Sequence, residues 1–433
     1  MAGEAVALGF LLLPDARNHL PVLLLFFLGG AFVSLLAAQS LSVTGPGFPL
    51  ACGALFRATL LLRAPALSED VYRYLWDGRV AREGISPYRY APDDPALNHL
   101  SSNLRARVAH GEFRTVYPPV AQAVFRIFGG GGNLPFLKAF FAAADLTVVL
   151  LLFYGAGPAG PFAAVLYAFH PLPVFEVAGE GHLDALGAAL LLACVIFLRR
   201  GRRFSAGLAF ALSFLMKYVS LAAAIPIFRR GRVLCLAGFL MLSSALWLAA
   251  RRGGAGPSGD FKEFATRWDF NSVLYPAAER LMRITQLPER AKEVFIDWKE
   301  RHHDPPWSQR VFPYFYPAFF ARLLLAALLS ATLLVIGWRT LDLEAGVLAS
   351  LGALLIFSPT LHPWYLLWVL PFAAWKRNAA FLYLSLAVPL AYLLLYPVPG
   401  VTPGMVLAAE YVPFGLLLLA SLARPRLTAA GIA

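Results

Sequence analysis

Long apolar runs follow one another along almost the whole chain, separated by short polar or basic breaks. A membrane-spanning helix needs roughly 20 such residues, fewer where other protein surrounds it. On that measure the pattern predicts spans near 3–13, 20–39, 46–62, 135–154, 160–176, 182–198, 204–217, 218–228, 233–250, 316–338, 343–358, 363–375, 379–397 and 404–422. The pair that meets around Lys217 reads as two half-length helices or as one broken helix. The expectation is an all-α polytopic membrane protein with about 13–14 spans, forming one domain over residues 1–433.

Composition removes the soluble alternatives, because 59% hydrophobic and 14% charged residues, with a mean hydropathy of +0.64, cannot cover a soluble core with a polar surface. The net charge of +12 does not point to nucleic acid, since the basic residues form short clusters between apolar runs. Examples are Arg199-Arg200-Gly201-Arg202-Arg203, Arg229-Arg230-Gly231-Arg232, Lys376-Arg377 and Arg424-Pro425-Arg426. Cytoplasmic loops carry such clusters under the positive-inside rule. Cys52, Cys194 and Cys235 are an odd number and all lie in apolar stretches, which argues against a disulfide framework. The start lacks a basic segment and a small-residue cleavage site, so no cleavable signal is expected.

With the N-terminus inside, every cluster but Arg251-Arg252 falls inside, and two large loops, 64–134 and 251–315, fall outside. The amphipathic stretch Tyr117–Arg126 is then an interfacial helix within the first loop. All the unusual polar motifs share that outer side. The first, Ser68-Glu69-Asp70-Val71-Tyr72-Arg73-Tyr74-Leu75-Trp76-Asp77-Gly78-Arg79, places three carboxylates and two arginines at a membrane boundary in a chain that otherwise avoids charge. On a helix Asp70, Arg73 and Asp77 share one face while Tyr72 and Trp76 share another. A guanidinium beside Asp70 keeps it ionised and able to act as a base. An exposed ion pair with an interfacial aromatic belt is the bland reading of the same residues.

These motifs resemble the first external loop of bacterial GT-C glycosyltransferases, continued by Ser86-Pro87-Tyr88-Arg89-Tyr90-Ala91-Pro92 and Val116-Tyr117-Pro118-Pro119. Within that superfamily the chain is most similar to the polyprenol-phosphate-mannose-dependent mannosyltransferases. The likeness runs on through Gly181-His182-Leu183-Asp184, Lys217, Arg267-Trp268-Asp269-Phe270-Asn271-Ser272 and Ser358-Pro359-Thr360-Leu361-His362-Pro363-Trp364-Tyr365. In the Gly-His-Asn-Asp turn of that family, Leu183 stands where Asn is common.

The resemblance implies an inverting hexosyltransferase in the cell membrane with its site facing the periplasm or exterior. It moves a sugar, mannose first among the hexoses, from a polyprenyl-phosphate carrier to a hydroxyl of a glycan or glycolipid. The carrier is a substrate, and neither a cofactor nor a metal is implied. Asp70 matches the family's acidic position as the base, with Glu69 as fallback about 100° away on a helix. A phosphate leaving group calls for cations, and Lys217, Arg73 and Arg89 are the candidates. Lys217 could equally pair with Asp145 or Asp184 for structure alone. Asp77, Tyr117, His182, Asp184, His362, Trp364 and Tyr365 are candidates for the sugar or acceptor, while histidines at helix ends are often structural. Outer aromatic residues serve equally as an interfacial belt or as stacking surfaces for sugars. A transporter or flippase of lipid-linked sugars is the rival class, but it predicts internal repeats and polar groups near the bilayer midplane. Here no repeat is evident and the polar groups crowd one rim.

Overall fold

The structure is a computed structural model that describes residues 16–100, 102–251 and 260–423. The span expected over 3–13 lies outside the described residues. Among those residues the regular secondary structure is helical, apart from one parallel bridge between Phe270 and Thr360. Helix α1 (Leu20–Ser40) carries Pro21 in its first turn, where a missing N–H costs little, and is followed by α2 (Gly47–Leu61). Beyond α3 (Asp70–Arg82), α4 (Leu134–Gly155) is capped by the Asn133 side chain, which accepts from Phe136 N at 3.0 Å. Helix α5 (Gly160–Phe169) ends at His170-Pro171, and the segment up to Gly179 continues after a bend of 45°.

Then come α6 (Asp184–Arg199) and α7 (Arg203–Met216). Lys217 is extended, with φ −159° and ψ 136°, so the break expected there is real. Helix α8 (Ala224–Arg251) is itself two helices meeting at Arg232, where φ is 53° and ψ is −153°. The second large loop is helical, with α9 (Leu274–Thr285) and α10 (Leu287–Arg301), and the chain re-enters the bundle as α11 (Pro317–Arg339). Helix α12 (Leu343–Phe357) starts on an Asp342 cap, and α13 (Pro403–Ala423) ends the described chain.

Five described helices are long and apolar enough to cross a bilayer alone, or six if the bent pair around His170 is one span. The expected 13–14 is larger because it also counts helices such as α2, α7 and α12, whose 14 or 15 residues reach only about 22 Å at 1.5 Å per residue. The expected 363–375 span is a 3₁₀ turn, Pro363–Trp368, followed by a short helix, Leu370–Lys376. These short pieces are tolerated because they are wrapped in protein: Trp368, Val369, Leu370 and Phe372 are fully buried.

Two ends of the bundle differ chemically. Asp184 opens α6 and Arg199 closes it; Arg203 opens α7 and Lys217 follows it. At the basic end Arg199 pairs with Glu344 at 2.9 Å, Lys376 with Asp342, and Arg229 covers the last carbonyls of α11. The opposite end gathers Asp70, His182, Asp184, Lys217 and His362.

Candidate active site

Asp70 is placed by an internal anion. The buried Glu180 carboxylate accepts three consecutive backbone N–H groups, from Ala66, Leu67 and Ser68 at 2.8–3.1 Å, and so fixes the strand of chain that leads into α3. Lys138, fully buried, ties the end of α2 to the same corner through the carbonyls of Leu60 and Arg63 at 2.9 and 2.5 Å. Asp70 then occupies the first turn of α3, with Arg79 and Arg82 in the last, an order that suits the helix dipole. The helix is clamped from behind at Gly78, where a Cβ would come within 2.1 Å of the Phe125 carbonyl oxygen.

The second wall is the turn after Gly179. Gly181 has φ 84° and lies so close to Val71 that a Cβ would meet its side chain at 2.8 Å; this contact brings His182 beside Asp70. His182 Nδ1 lies 3.9 Å from Asp70 Oδ2, and its Nε2 lies 3.5 Å from Glu176 Oε2. Neither ring nitrogen has a hydrogen-bond partner, although the side chain is fully buried. Asp184 Oδ1 accepts from Lys217 Nζ and from the Trp368 indole, each at 2.7 Å, while its Oδ2 is unpartnered. The Lys217 ammonium also sits 4.4 Å from the Tyr365 ring centre.

An aromatic column joins these walls to the second external loop. Phe270, His362, Trp364 and His182 stack in that order, with ring centres 4.7, 4.4 and 3.9 Å apart and planes within 21° of parallel. The backbone holds the column's outer end, because Phe270 N donates to Pro359 O and Leu361 N donates to Phe270 O. Arg114 binds Asp260, and His110 and Phe113 pack edge-on to Trp268, so the two external loops meet at His110, whose charge acts on Asp70.

Electrostatics follow from this crowding. Desolvation in the recess pushes the Asp70 carboxyl up to about 6, against the pull of Lys217, His110 and Arg73 and with a push from Asp184. Even so, 36% of its side chain stays open. Burial, with Lys217 beside them, holds His182 well below the usual range and His362 at about 3, so both rings are neutral near pH 7.

The remaining predicted residues divide. Arg73 does not pair with Asp70 as expected; it donates to Asp77 at 2.9 Å and to the Phe113 carbonyl at 2.9 Å, because the i,i+4 carboxylate is better aligned. Asp77 is buried and also accepts from Gln122 at 2.8 Å, which ties α3 to the segment after Tyr117. Glu69 faces Arg17 at 3.7 Å, half exposed and away from the recess. Arg89 lies over Tyr90 and does not reach the cluster around Asp70. Tyr117 borders Asp70 from the far side, its hydroxyl 3.4 Å from that of Tyr74. Both faces of Trp364 are covered by the two histidines, so it orders them. Asp145 is not the partner of Lys217; it binds Arg57 at 2.5 Å. Glu176, Glu180, His110 and Trp368 escaped the sequence reading. Glu176 and Glu180 had a usable signal, as acidic residues inside an apolar run.

Two family models match the chain. Residues 19–229 match the MptA_B family description "Alpha-(1->6)-mannopyranosyltransferase, N-terminal domain", and residues 318–424 match the MptB C-terminal domain. No curated protein and no solved structure matches the chain. The two matched stretches contain α3 with Asp70, the His182 turn, Lys217 and the His362 loop, so the recess is framed by both. The chain belongs to the MptA_B family of α-(1→6)-mannopyranosyltransferases and is a multi-pass membrane mannosyltransferase.

Proposed function

We propose that the protein moves mannose from a polyprenyl-phosphate-mannose donor, with inversion, to a primary hydroxyl of a mannose-bearing glycan or glycolipid on the non-cytoplasmic face. The observation that carries this reading is one recess in which an open carboxylate, Asp70, and an ammonium, Lys217, stand together. In the transfer the acceptor oxygen attacks C1 of the sugar and gives its proton to Asp70. The C1–O bond to phosphate breaks on the opposite face, and its electron pair leaves with the polyprenyl phosphate. An α product formed by inversion requires a β-linked donor.

A carboxyl with its pKa raised to about 6 suits the base, because it is mostly ionised at pH 7 yet basic enough to take a proton. Lys217 spends one N–H on Asp184, which leaves donors for a phosphate oxygen. Asp184 and Tyr365 hold that ammonium in place. His182 and His362, being neutral, serve as hydrogen-bonding groups for sugar hydroxyls or for Asp70 and do not add positive charge. The orientation is supported by the basic clusters, which collect at the end of the bundle opposite to the recess.

The test is transfer of labelled mannose from polyprenyl-phosphate-mannose by purified protein in detergent with a mannolipid acceptor, alongside other polyprenyl-phosphate sugars. Loss of a general base predicts a fall of about 10²–10⁴ in Asp70→Asn at an unchanged melting temperature. Equal transfer in that variant removes Asp70 as the base, and transfer of another sugar in preference to mannose overturns the donor.

A further inference from the structure

The recess continues inward past Asp70 along a line of buried polar groups that base and phosphate chemistry do not use. Tyr392 OH lies 2.9 and 3.1 Å from the two Glu176 oxygens; Glu176 Oε2 lies 3.5 Å from His182 Nε2; His182 Nδ1 lies 3.9 Å from Asp70 Oδ2. Tyr392, Glu176 and His182 are fully buried, and only Asp70 opens outward. Among the described residues no Lys or Arg pairs with Glu176, so an ionised carboxylate there would be left uncompensated in a dry site. The two His182 gaps, 3.9 and 3.5 Å, exceed a hydrogen bond by a few tenths of an ångström or more, in a ring that lies stacked on Trp364. Such contacts lengthen in unliganded sites and tighten when substrate closes them.

We propose that Glu176 and His182 are positioning residues for the base: Glu176 carries a proton and donates it to His182 Nε2, which fixes the ring as the Nδ1–H tautomer, and that N–H orients and stabilises the Asp70 carboxylate. The inference rests on the reading of Asp70 as the base. The tautomer follows from the partners, since a nitrogen that accepts on one side leaves the other to donate. Tyr392 sets the rotamer of Glu176, and the stack of Trp364 and His362 keeps the imidazole from turning. Glu176 thus acts on the reaction through His182 alone.

The groups that titrate or carry charge around Asp70 are Lys217, Asp184, His110 and Arg73, with Tyr74, Tyr117 and Tyr365 lining the recess. Those around Glu176 are Glu180, Asp184, Asp70, His182 and Tyr392. None of these residues is itself replaced in Glu176→Gln or Glu176→Leu, so a moved pH profile reports the loss or retention of the Glu176 contact.

The experiment compares wild type, Glu176→Gln, Glu176→Leu and Asp70→Asn by the pH dependence of kcat/KM. The same proteins, with ¹⁵N-labelled histidine, are read by NMR for the tautomer of His182, assigned by the resonance missing in His182→Gln. In Glu176→Leu the expected result is kcat lower on the order of tenfold, the value of one hydrogen bond to a charged group. KM stays near wild type, the acid limb moves to higher pH, and His182 is a tautomer mixture. Glu176→Gln, which still donates, recovers most of kcat, the acid limb and the Nδ1–H form. A limb that moves to lower pH in Glu176→Gln would mean that Glu176 is an anion and overturns the proposal. So does wild-type His182 in the Nε2–H form, a readout that needs neither activity nor the Leu variant. If Asp70→Asn keeps transfer, the base assignment fails. If Asp70→Asn is inactive while Glu176→Leu matches wild type, only the positioning line fails.

Discussion

Two of the clusters of buried charge among the described residues are completed differently. In one, Arg57 on α2 binds Asp145 on α4 at 2.5 Å, Tyr167 donates to the other Asp145 oxygen at 2.6 Å, and Arg57 Nη1 reaches the Gly53 and Ala168 carbonyls. Only Arg57 Nη2 lacks a partner. In the other, Asp70, His182, Asp184, Lys217 and His362 share a recess where both His182 nitrogens, Asp184 Oδ2 and His362 Nδ1 have none. A pair that merely joins helices can satisfy its polar atoms internally, whereas a site that receives a substrate must leave some of them waiting. Lys217 shows why a salt bridge alone does not classify a residue: its bond to Asp184 is as short as a structural one, yet it keeps 17% of its surface open beside Asp70.

The strongest way to break this contrast is to neutralise one cation in each cluster. Lys217→Met should lower transfer per folded molecule by about 10²–10³, the effect of losing one group that stabilises developing charge. Arg57→Met should instead cost about 3–5 kcal/mol of stability, because Asp145 is left buried without its charge partner, while the protein that remains folded transfers normally. Melting temperature and initial rate, measured on the same preparations, decide it; equal loss of activity in both variants would erase the distinction.

A smaller effect sharpens the electrostatic side. As pH falls through about 6 Asp70 gains a proton and can no longer accept one, so kcat/KM should fall tenfold per unit below that point. A limb near pH 4, the ordinary carboxylate value, would show that desolvation does not control Asp70. Trp364→Leu should come next, with kcat down several-fold, since each stacking contact is worth about 0.5–1.5 kcal/mol and both histidines lose one. Arg114→Ala should matter least. Its pair with Asp260 is partly exposed and worth about 0.2–1 kcal/mol, which predicts KM up a few-fold with kcat unchanged.

Much of the recess was legible in the amino-acid sequence because membranes make charge expensive, so Asp70, His182, Asp184, Lys217 and His362 stood out against apolar surroundings. Partner choice was not legible. Arg73 had acidic neighbours on its own helix at three and four residues' distance and took Asp77. Lys217 had two candidate partners and took Asp184, while Asp145 belongs to Arg57, 88 residues away in sequence. Span lengths were not legible for a related reason: hydropathy measures apolar length, but α2, α7 and α12 are too short to cross a bilayer alone, and the buried 363–376 segment is a 3₁₀ turn and a short helix.

The sequence by itself determined the helical class, the membrane environment and the crowding of unusual polar residues around Asp70, since each depends on local composition or on spacing along one helix. Only the tertiary structure decided which polar groups face one another. The four-ring column from Phe270 to His182, the Glu180 clamp on the chain before Asp70 and the Glu176–His182 approach all join residues from separate elements. Such contacts arise when helices pack, and packing depends on shape complementarity between faces that no single stretch of sequence contains.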